Sequence, residues 1–171
     1  MRRSTLAVWL LSGGLLAGEA GATPRALPPA ERAEITALAR RVLEFVRDGG
    51  PGPAGLFPTA AELRAVYGLR DPGDAGPDGG GMMVQRQLEA LGRDARDLRP
   101  RLAGARFRGI AGGAFARNTI DPRRCGRFGA PGSLCADGPV IEYAVGPSVR
   151  RLRIDTIVRV GGRWRVLDLR P

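Results

Sequence analysis

The feature that most constrains the fold of this sequence is a pair of alternating stretches near its end. Leu152, Ile154, Thr156, Val158 and Val160 form an alternating series that is apolar except for the threonine, and a second apolar series runs from Trp164 to Leu169. The pair Gly161–Gly162 separates them. Alternation with a period of two on both sides of a glycine turn predicts a β-hairpin.

The register of this hairpin depends on the length of its turn. A two-residue glycine turn places Asp155 opposite Asp168, and like charges in that position are unfavourable. A three-residue turn ending at Arg163 instead pairs Val160 with Trp164 and keeps apolar partners together. We therefore expect the three-residue turn.

The first hundred residues show helical periodicity. An apolar series at helical spacing lies between Pro29 and Gly49, which are typical residues for a helix start and stop. Thr59 and Glu62 match the T-x-x-E capping box ahead of a short second helix. A third apolar series, over residues 84–98, predicts a third helix.

The remaining segments divide into a loop and further strands. Residues 70–81 are mostly Gly, Pro and Asp, which predicts a mobile loop. Further strand candidates are residues 105–110, 114–120 and 140–145. This order predicts a single α+β domain, with helices (about 28–100) packed on one face of a curved antiparallel sheet (about 101–171) that ends in the hairpin.

The closing segment from Asp155 to Asp168 resembles the final hairpin of cone-shaped α+β proteins similar to nuclear transport factor 2 (cystatin-like). A long strand, a glycine turn and the Arg163–Trp164 step carry the resemblance. That group includes enzymes, small-ligand binders and subunits that only mediate contacts. Its enzymes usually place an Asp–His or Tyr–Asp pair in the cone. This implies Asp155, Asp168 and Tyr143 as catalytic candidates here, since the chain has no histidine.

Residues 1–22 have the features of a secretion signal. Two arginines precede an apolar run of about a dozen residues, which is shorter than the ~20 that a spanning helix needs, and Ala20-Gly21-Ala22 fits the A-x-A cleavage pattern. Glu19 stands where a lipoprotein signal has its lipidated cysteine. We expect a periplasmic or secreted protein that is not lipidated and has no transmembrane segment in residues 23–171.

The charge of the chain comes from arginine alone and is uneven. The 27 basic residues include no lysine, and the absence of histidine excludes Ser-His-Asp and Cys-His catalysis and histidine-ligated metal sites. Residues 101–171 hold 14 arginines and 5 acidic residues, a net charge of +9. Such a surface attracts phosphates, sulfates and carboxylates. A GC-rich genome is the alternative explanation for the arginine usage.

The only two cysteines are Cys125 and Cys135. In an oxidising compartment this pair is expected to form a disulfide, which would stabilise the fold by ~2–3 kcal/mol. The spacing is not the C-x-x-C of redox proteins, and two thiols without further ligands do not make a zinc site.

The loop over residues 121–139, which would contain this disulfide, is the first candidate binding site. A disulfide would hold several guanidinium groups together for binding anions. The alternative is a solvated loop that the disulfide merely stabilises. The arginines concerned are Arg117, Arg123, Arg124 and Arg127.

Two further candidate sites lie on the hairpin. One is a group of arginines whose simpler role is to protect an edge strand from aggregation; they are Arg150, Arg151, Arg153, Arg159 and Arg163. The other is the pair Asp155 and Asp168, which could divide acid and base work if it met Tyr143 in one pocket. Each aspartate could instead balance a neighbouring arginine.

These observations predict a non-catalytic binding or interaction module, whose partners would be anionic envelope components or another protein. No glycine-rich phosphate loop or other cofactor motif is present, so no cofactor is expected. Two Trp and two Tyr give little support for specific nucleic-acid binding. The alternatives are a small-ligand binder or enzyme that uses the interior of the cone, and an assembly subunit.

Overall fold

A computed structural model describes residues 25–49, 55–69, 80–111, 119–120 and 133–170 of the chain. The helices in this part are α1 (Pro29–Asp48), α2 (Ala60–Tyr67) and α3 (Gly80–Leu98), which a 3-10 turn (Arg99–Leu102) continues. The strands are β1 (Arg25–Ala26), β2 (Arg106–Ile110), β3 (Thr119–Ile120), β4 (Leu134–Asp137), β5 (Val140–Val145), β6 (Ser148–Val160) and β7 (Arg163–Arg170). The strand pairs are antiparallel, so the predicted α+β class is confirmed.

Strand β6 is the centre of the sheet. Along one edge it pairs with β4 and then β5 in a single register. Between these two strands the Gly138 amide donates to the Asp155 carbonyl at 2.9 Å, and the Ile154 amide donates to the Pro139 carbonyl at 3.1 Å. Strand β7 pairs with the opposite edge of β6, β2 flanks β5, β3 flanks β4, and β1 lies outside β3.

The turn between β6 and β7 has two residues, so the predicted three-residue turn is wrong. Val160 pairs with Arg163. Gly161 and Gly162 have φ values of 55° and 76°, as a type I′ turn requires at both central positions, and this turn matches the twist of a hairpin. The positive φ values available to two glycines therefore decide the register.

An irregularity in the hairpin removes the charge conflict expected for this register. The pairing of β6 with β7 shifts around Thr156, so Thr156 rather than Asp155 lies opposite Asp168. The shift also changes which side chains of β6 face α1. Ile154 and Ile157 both belong to the cluster that α1 covers, whereas Val158 belongs to a cluster on the other face.

The two faces of the sheet consequently carry two apolar clusters. The main cluster lies between the sheet and α1, and its largest fully buried side chain is Trp164. The second cluster joins Cys135, Val158 and Leu167 to residues of α2 and to the beginning of α3. The sequence predicts all helices on one face of the sheet, and this part of the prediction is wrong. Helix α1 covers the main cluster, α2 covers the second cluster, and α3 contributes to both.

Segments from the N-terminal half of the chain cover the outer edge of β7. The Trp164 amide donates to Glu34 Oε1 at 3.1 Å, and the Val166 amide donates to the Leu56 carbonyl at 3.0 Å. Gln87 Nε2 donates to the Leu167 carbonyl at 2.6 Å. These bonds satisfy backbone groups that an exposed edge would offer to another strand.

The predicted local signals are largely confirmed. The capping box of α2 forms in both directions, since the Thr59 hydroxyl accepts from the Glu62 amide at 3.1 Å and Glu62 Oε2 accepts from the Thr59 amide at 2.7 Å. Two boundaries differ from the predictions. Strand β4 lies inside the predicted loop 121–139, and α3 begins within the predicted mobile loop 70–81, whose first ten residues lie outside the described residues.

The close approach of Gly138 to β6 makes a testable prediction. A Cβ at this position would meet the Ile154 carbonyl oxygen at 2.2 Å, so Gly138→Ala must displace backbone at the centre of the sheet. We expect a loss of ~2–3 kcal/mol in the free energy of unfolding, measured by urea denaturation. The matched control is Gly92→Ala in α3, where a Cβ meets Arg96 Nη1 at 3.8 Å. This control should stabilise by ~0.5–1 kcal/mol, and equal effects of the two changes would contradict the prediction.

Candidate functional site

The arginine-rich loop predicted from the sequence lies mostly outside the described residues. Arg117, Arg123, Arg124, Arg127 and Cys125 all belong to the parts that are not described. Both the anion-binding loop and the disulfide therefore stay predictions. The second cysteine of the pair, Cys135, lies on β4 directly opposite Val158 and is fully buried in the second cluster.

The three catalytic candidates do not meet in one pocket. Tyr143 packs in the main cluster on the α1 side of the sheet, with 5% of its surface exposed. Asp155 forms an ion pair with the exposed Arg153, which lies between the α1-facing Leu152 and Ile154, so Asp155 lies on the other face. Asp168 lies near Tyr67 of α2, a helix that covers the second cluster. The sheet therefore separates the tyrosine from the two aspartates.

Each aspartate instead lies next to polar or charged residues of its own part of the sheet. Asp155 is 7% exposed, and its Oδ1 lies 3.5 Å from Arg153 Nε. Asp168 lies in a cross-strand row in which Thr156 separates it from Asp137. The sequence did not suggest Asp137 because its strand was predicted to be a loop. Within the described ranges, no group of three acidic or cysteine residues could hold a metal ion.

Tyr67 is the tyrosine whose titration the structure perturbs. Burial raises its pKa above the ordinary value, and the nearby negative charge of Asp168 raises the pKa further. The folded protein thus retains this proton to higher pH than the unfolded chain does. Stability from the neutral phenol is complete below about pH 10 and is lost as the pH rises through the folded-state pKa.

A set of exposed arginines lies on the face of the sheet opposite α1, in the half that the second cluster does not cover. We name it the arginine face, and its members are Arg106, Arg108, Arg151 and Arg153. Arg106 lies beside Ala144 of β5, and Arg108 lies in a bulge of β2 beside Glu142. Arg151 of β6 is directly opposite Glu142 of β5. The side chains of the arginine face therefore lie in neighbouring rows of one surface.

Two of these four arginines pair with carboxylates, and the other two have no such partner among the described residues. Arg151 Nη2 lies 3.0 Å from Glu142 Oε1, and Arg153 pairs with Asp155, while both guanidinium side chains stay more than half exposed. In the described part of the chain, no carboxylate pairs with Arg106 or Arg108. These two guanidinium groups are therefore available to an external anion.

The arginines of β6 differ in role, which corrects the expectation that they all protect an edge. Arg150 and Arg151 lie where β6 extends beyond the last residue of β7 and has a partner on one side only. Arg159 lies inside the sheet, where its Nη1 forms an ion pair at 2.5 Å with Glu31 of α1. Arg163 is exposed at the turn.

The tip of the β5–β6 hairpin lies beside the arginine face and is not part of it. Every residue from Gly146 to Arg151 is exposed, and 59% of Val149 is accessible. Val149 pairs with Ala144, the residue that also pairs with Arg106, so these three residues form one row across three strands. An apolar side chain and a cation thus share the row next to the tip.

A shallow depression of about 450 Å³ lies at the C-terminal end of α1, next to this face. It is lined by Arg47, Asp48, Ala103, Gly104, Ala105 and Arg106. Arg47 Nη1 donates to the Ala105 carbonyl at 2.9 Å, and its Nε lies 2.5 Å from Asp48 Oδ1. The hydrogen bond from Arg47 lowers the pKa of Asp48. Arg47 is thus paired with Asp48, whereas Arg106 has no carboxylate partner in the part of the chain that the structure describes.

Comparisons with known proteins supply no relative. No family model, curated protein or solved structure matches this chain. None of the helices in the described part is long and apolar enough to cross a membrane.

The electrostatic effect of Asp168 on the pKa of Tyr67 can be tested by titration. Replacing Asp168 with Asn removes a negative charge beside the phenol, so the pKa of Tyr67 should fall toward its ordinary value. The measurement is tyrosinate absorbance against pH, and Tyr67→Phe identifies which transition belongs to this residue rather than to Tyr143. A midpoint that stays the same or rises in Asp168→Asn would contradict the assignment.

Proposed function

We propose that this protein is a non-catalytic binding module that recognises anionic groups through its arginine face. The observation that carries the proposal is the pair Arg106 and Arg108, exposed and without a carboxylate partner in the described residues. Guanidinium groups bind phosphate, sulfate and carboxylate by two parallel hydrogen bonds. An anionic ligand can bind these two residues without displacing an internal ion pair.

The arrangement suits a repeating anion better than a single small one. Residues two apart on a strand are about 7 Å from each other, and neighbouring strands are about 4.8 Å apart. Arg151 and Arg153 are two apart on β6, and β5 separates them from Arg106 and Arg108 on β2. The four groups cover an open surface, and the two paired guanidinium groups keep further N–H donors for an external anion, since the side chains of Arg151 and Arg153 are 68% and 57% exposed.

The proposed setting is the bacterial periplasm or exterior. The secretion signal over residues 1–22 and the Cys125–Cys135 disulfide belong to this proposal, as does membership in the cone-shaped group similar to nuclear transport factor 2. Lipid headgroups and envelope polysaccharides are the anionic partners available there. Without Arg2, Arg3 and Glu19 of the signal, the net charge of +10 becomes +9, which favours their approach.

A ligand site inside the cone is the second candidate. It is supported by the indole Nε1 of Trp164, which is buried on the α1 side of the sheet and finds no acceptor among the described residues. Against it stands the packing of this interior, where Trp164 and Tyr143 contact the main cluster. The arginine face is therefore the better supported site, because its groups are already exposed.

The binding proposal predicts weaker retention on heparin when the unpaired arginines are removed. The double variant Arg106→Gln/Arg108→Gln should lose roughly tenfold in affinity for each charge-assisted contact and elute at lower salt. The matched control is Arg93→Gln/Arg96→Gln on α3, which removes the same charge from exposed positions at the other edge of the sheet. Equal elution of the two variants would mean that only net charge matters and would refute a specific arginine face.

The proposed compartment predicts a definite mass for the protein recovered from a bacterial periplasm. We expect the loss of residues 1–22 and alkylation of both cysteines only after reduction. Intact mass spectrometry before and after reduction measures both quantities. A full-length chain with free thiols, recovered from two different hosts, would refute export and the disulfide.

A further inference from the structure

We propose that the anionic partner is the surface of a phospholipid bilayer, into which the tip of the β5–β6 hairpin inserts. The tip is the segment Gly146–Val149. This inference rests on the proposed function, since the arginine face would supply the contacts to lipid phosphates. It adds an apolar contact that anion binding alone does not require.

The first argument is the exposure of the tip. Val149 is 59% exposed, whereas apolar side chains on the same strand, such as Leu152 and Ile154, are 4% and 0% exposed. The segment Gly146–Val149 carries no charged residue, so it can enter the headgroup region without burying a charge. A single exposed apolar side chain is common on protein surfaces, so Val149 supports the inference through its place in the same cross-strand row as Arg106.

The second argument is the position of the cations relative to the tip. Arg106 lies in the same cross-strand row as Val149, and Arg151 lies in the next row from the tip. Guanidinium groups at these positions would reach the phosphate level while Val149 lies just below it. Long arginine side chains adapt to this depth because their aliphatic stems are apolar.

The third argument concerns carboxylates, which an anionic membrane would repel. Glu142 lies among these arginines, and it is bound by Arg151 Nε at 3.2 Å and Nη2 at 3.0 Å. Asp155 is 7% exposed and lies on the part of β6 farther from the tip. The end of the hairpin therefore presents positive and apolar groups, and a soluble polysaccharide would use only the positive ones.

The test measures partition of the periplasmic protein onto vesicles of phosphatidylcholine with and without phosphatidylglycerol. We expect binding only when phosphatidylglycerol is present. Val149→Asn, which leaves the charge unchanged, should reduce partition roughly five- to tenfold because it removes the apolar contact. The matched control is Met82→Asn on α3, where an apolar side chain of 48% exposure lies away from the tip and should have no effect.

Heparin retention separates this inference from the proposed function. Val149→Asn should leave heparin retention unchanged, whereas Arg106→Gln/Arg108→Gln should weaken both heparin retention and vesicle partition, the latter by roughly twentyfold. If Val149→Asn binds vesicles like the unchanged protein, the membrane inference is overturned and anion binding stands. If the arginine variant retains both activities, the proposed function fails as well.

A second measurement reports insertion directly. Val149→Trp places an indole at the tip, and its emission should shift to shorter wavelength when phosphatidylglycerol vesicles are added. Unchanged emission on vesicles that demonstrably bind the protein would show that the tip stays in water, which overturns the inference.

Discussion

The face to which β6 directs its buried side chains changes at the pairing irregularity around Thr156. Ile154 and Ile157 both face α1 across this point, which a regular strand with a period of two would not allow. Val158 is consequently directed to the other face, where α2 and the start of α3 cover it. The two register shifts at this point cancel, since Arg153 pairs with Arg170 and Val160 with Arg163 in the same register, and each face of the sheet carries an apolar cluster with helices over it.

The same irregularity explains why some features could be predicted from the sequence and others could not. Helix boundaries and the capping box follow from local residue preferences, and α1 ends at Gly49 as the pattern indicates. The hairpin register depends on a choice between turn geometry and charge pairing. We expected the pairing of Asp155 with Asp168 to exclude the two-residue turn, but the shift allows the glycine turn and separates the aspartates. Alternation alone gives no sign of such a shift.

The candidate site was predicted only in part for a related reason. An excess of arginine in the C-terminal half is visible in the sequence, but the arginines are equivalent there. The structure distinguishes them by their partners, since Arg159 holds Glu31 and Arg165 holds Glu62, 3.5 Å away, whereas Arg106 and Arg108 have no carboxylate partner in the described residues. Arg106 and Arg108 were not candidates at first because their strand carried no pattern other than loose alternation.

The covered edge of β7 has a consequence for the order in which the domain can form. Glu34 meets Trp164 across 130 positions of the chain, and Glu31 meets Arg159 across 128. Contacts of such long range form late, because the entropy of closing the intervening chain must first be overcome. Helix α1 therefore has no complete surface to pack against until nearly the whole domain has left the ribosome.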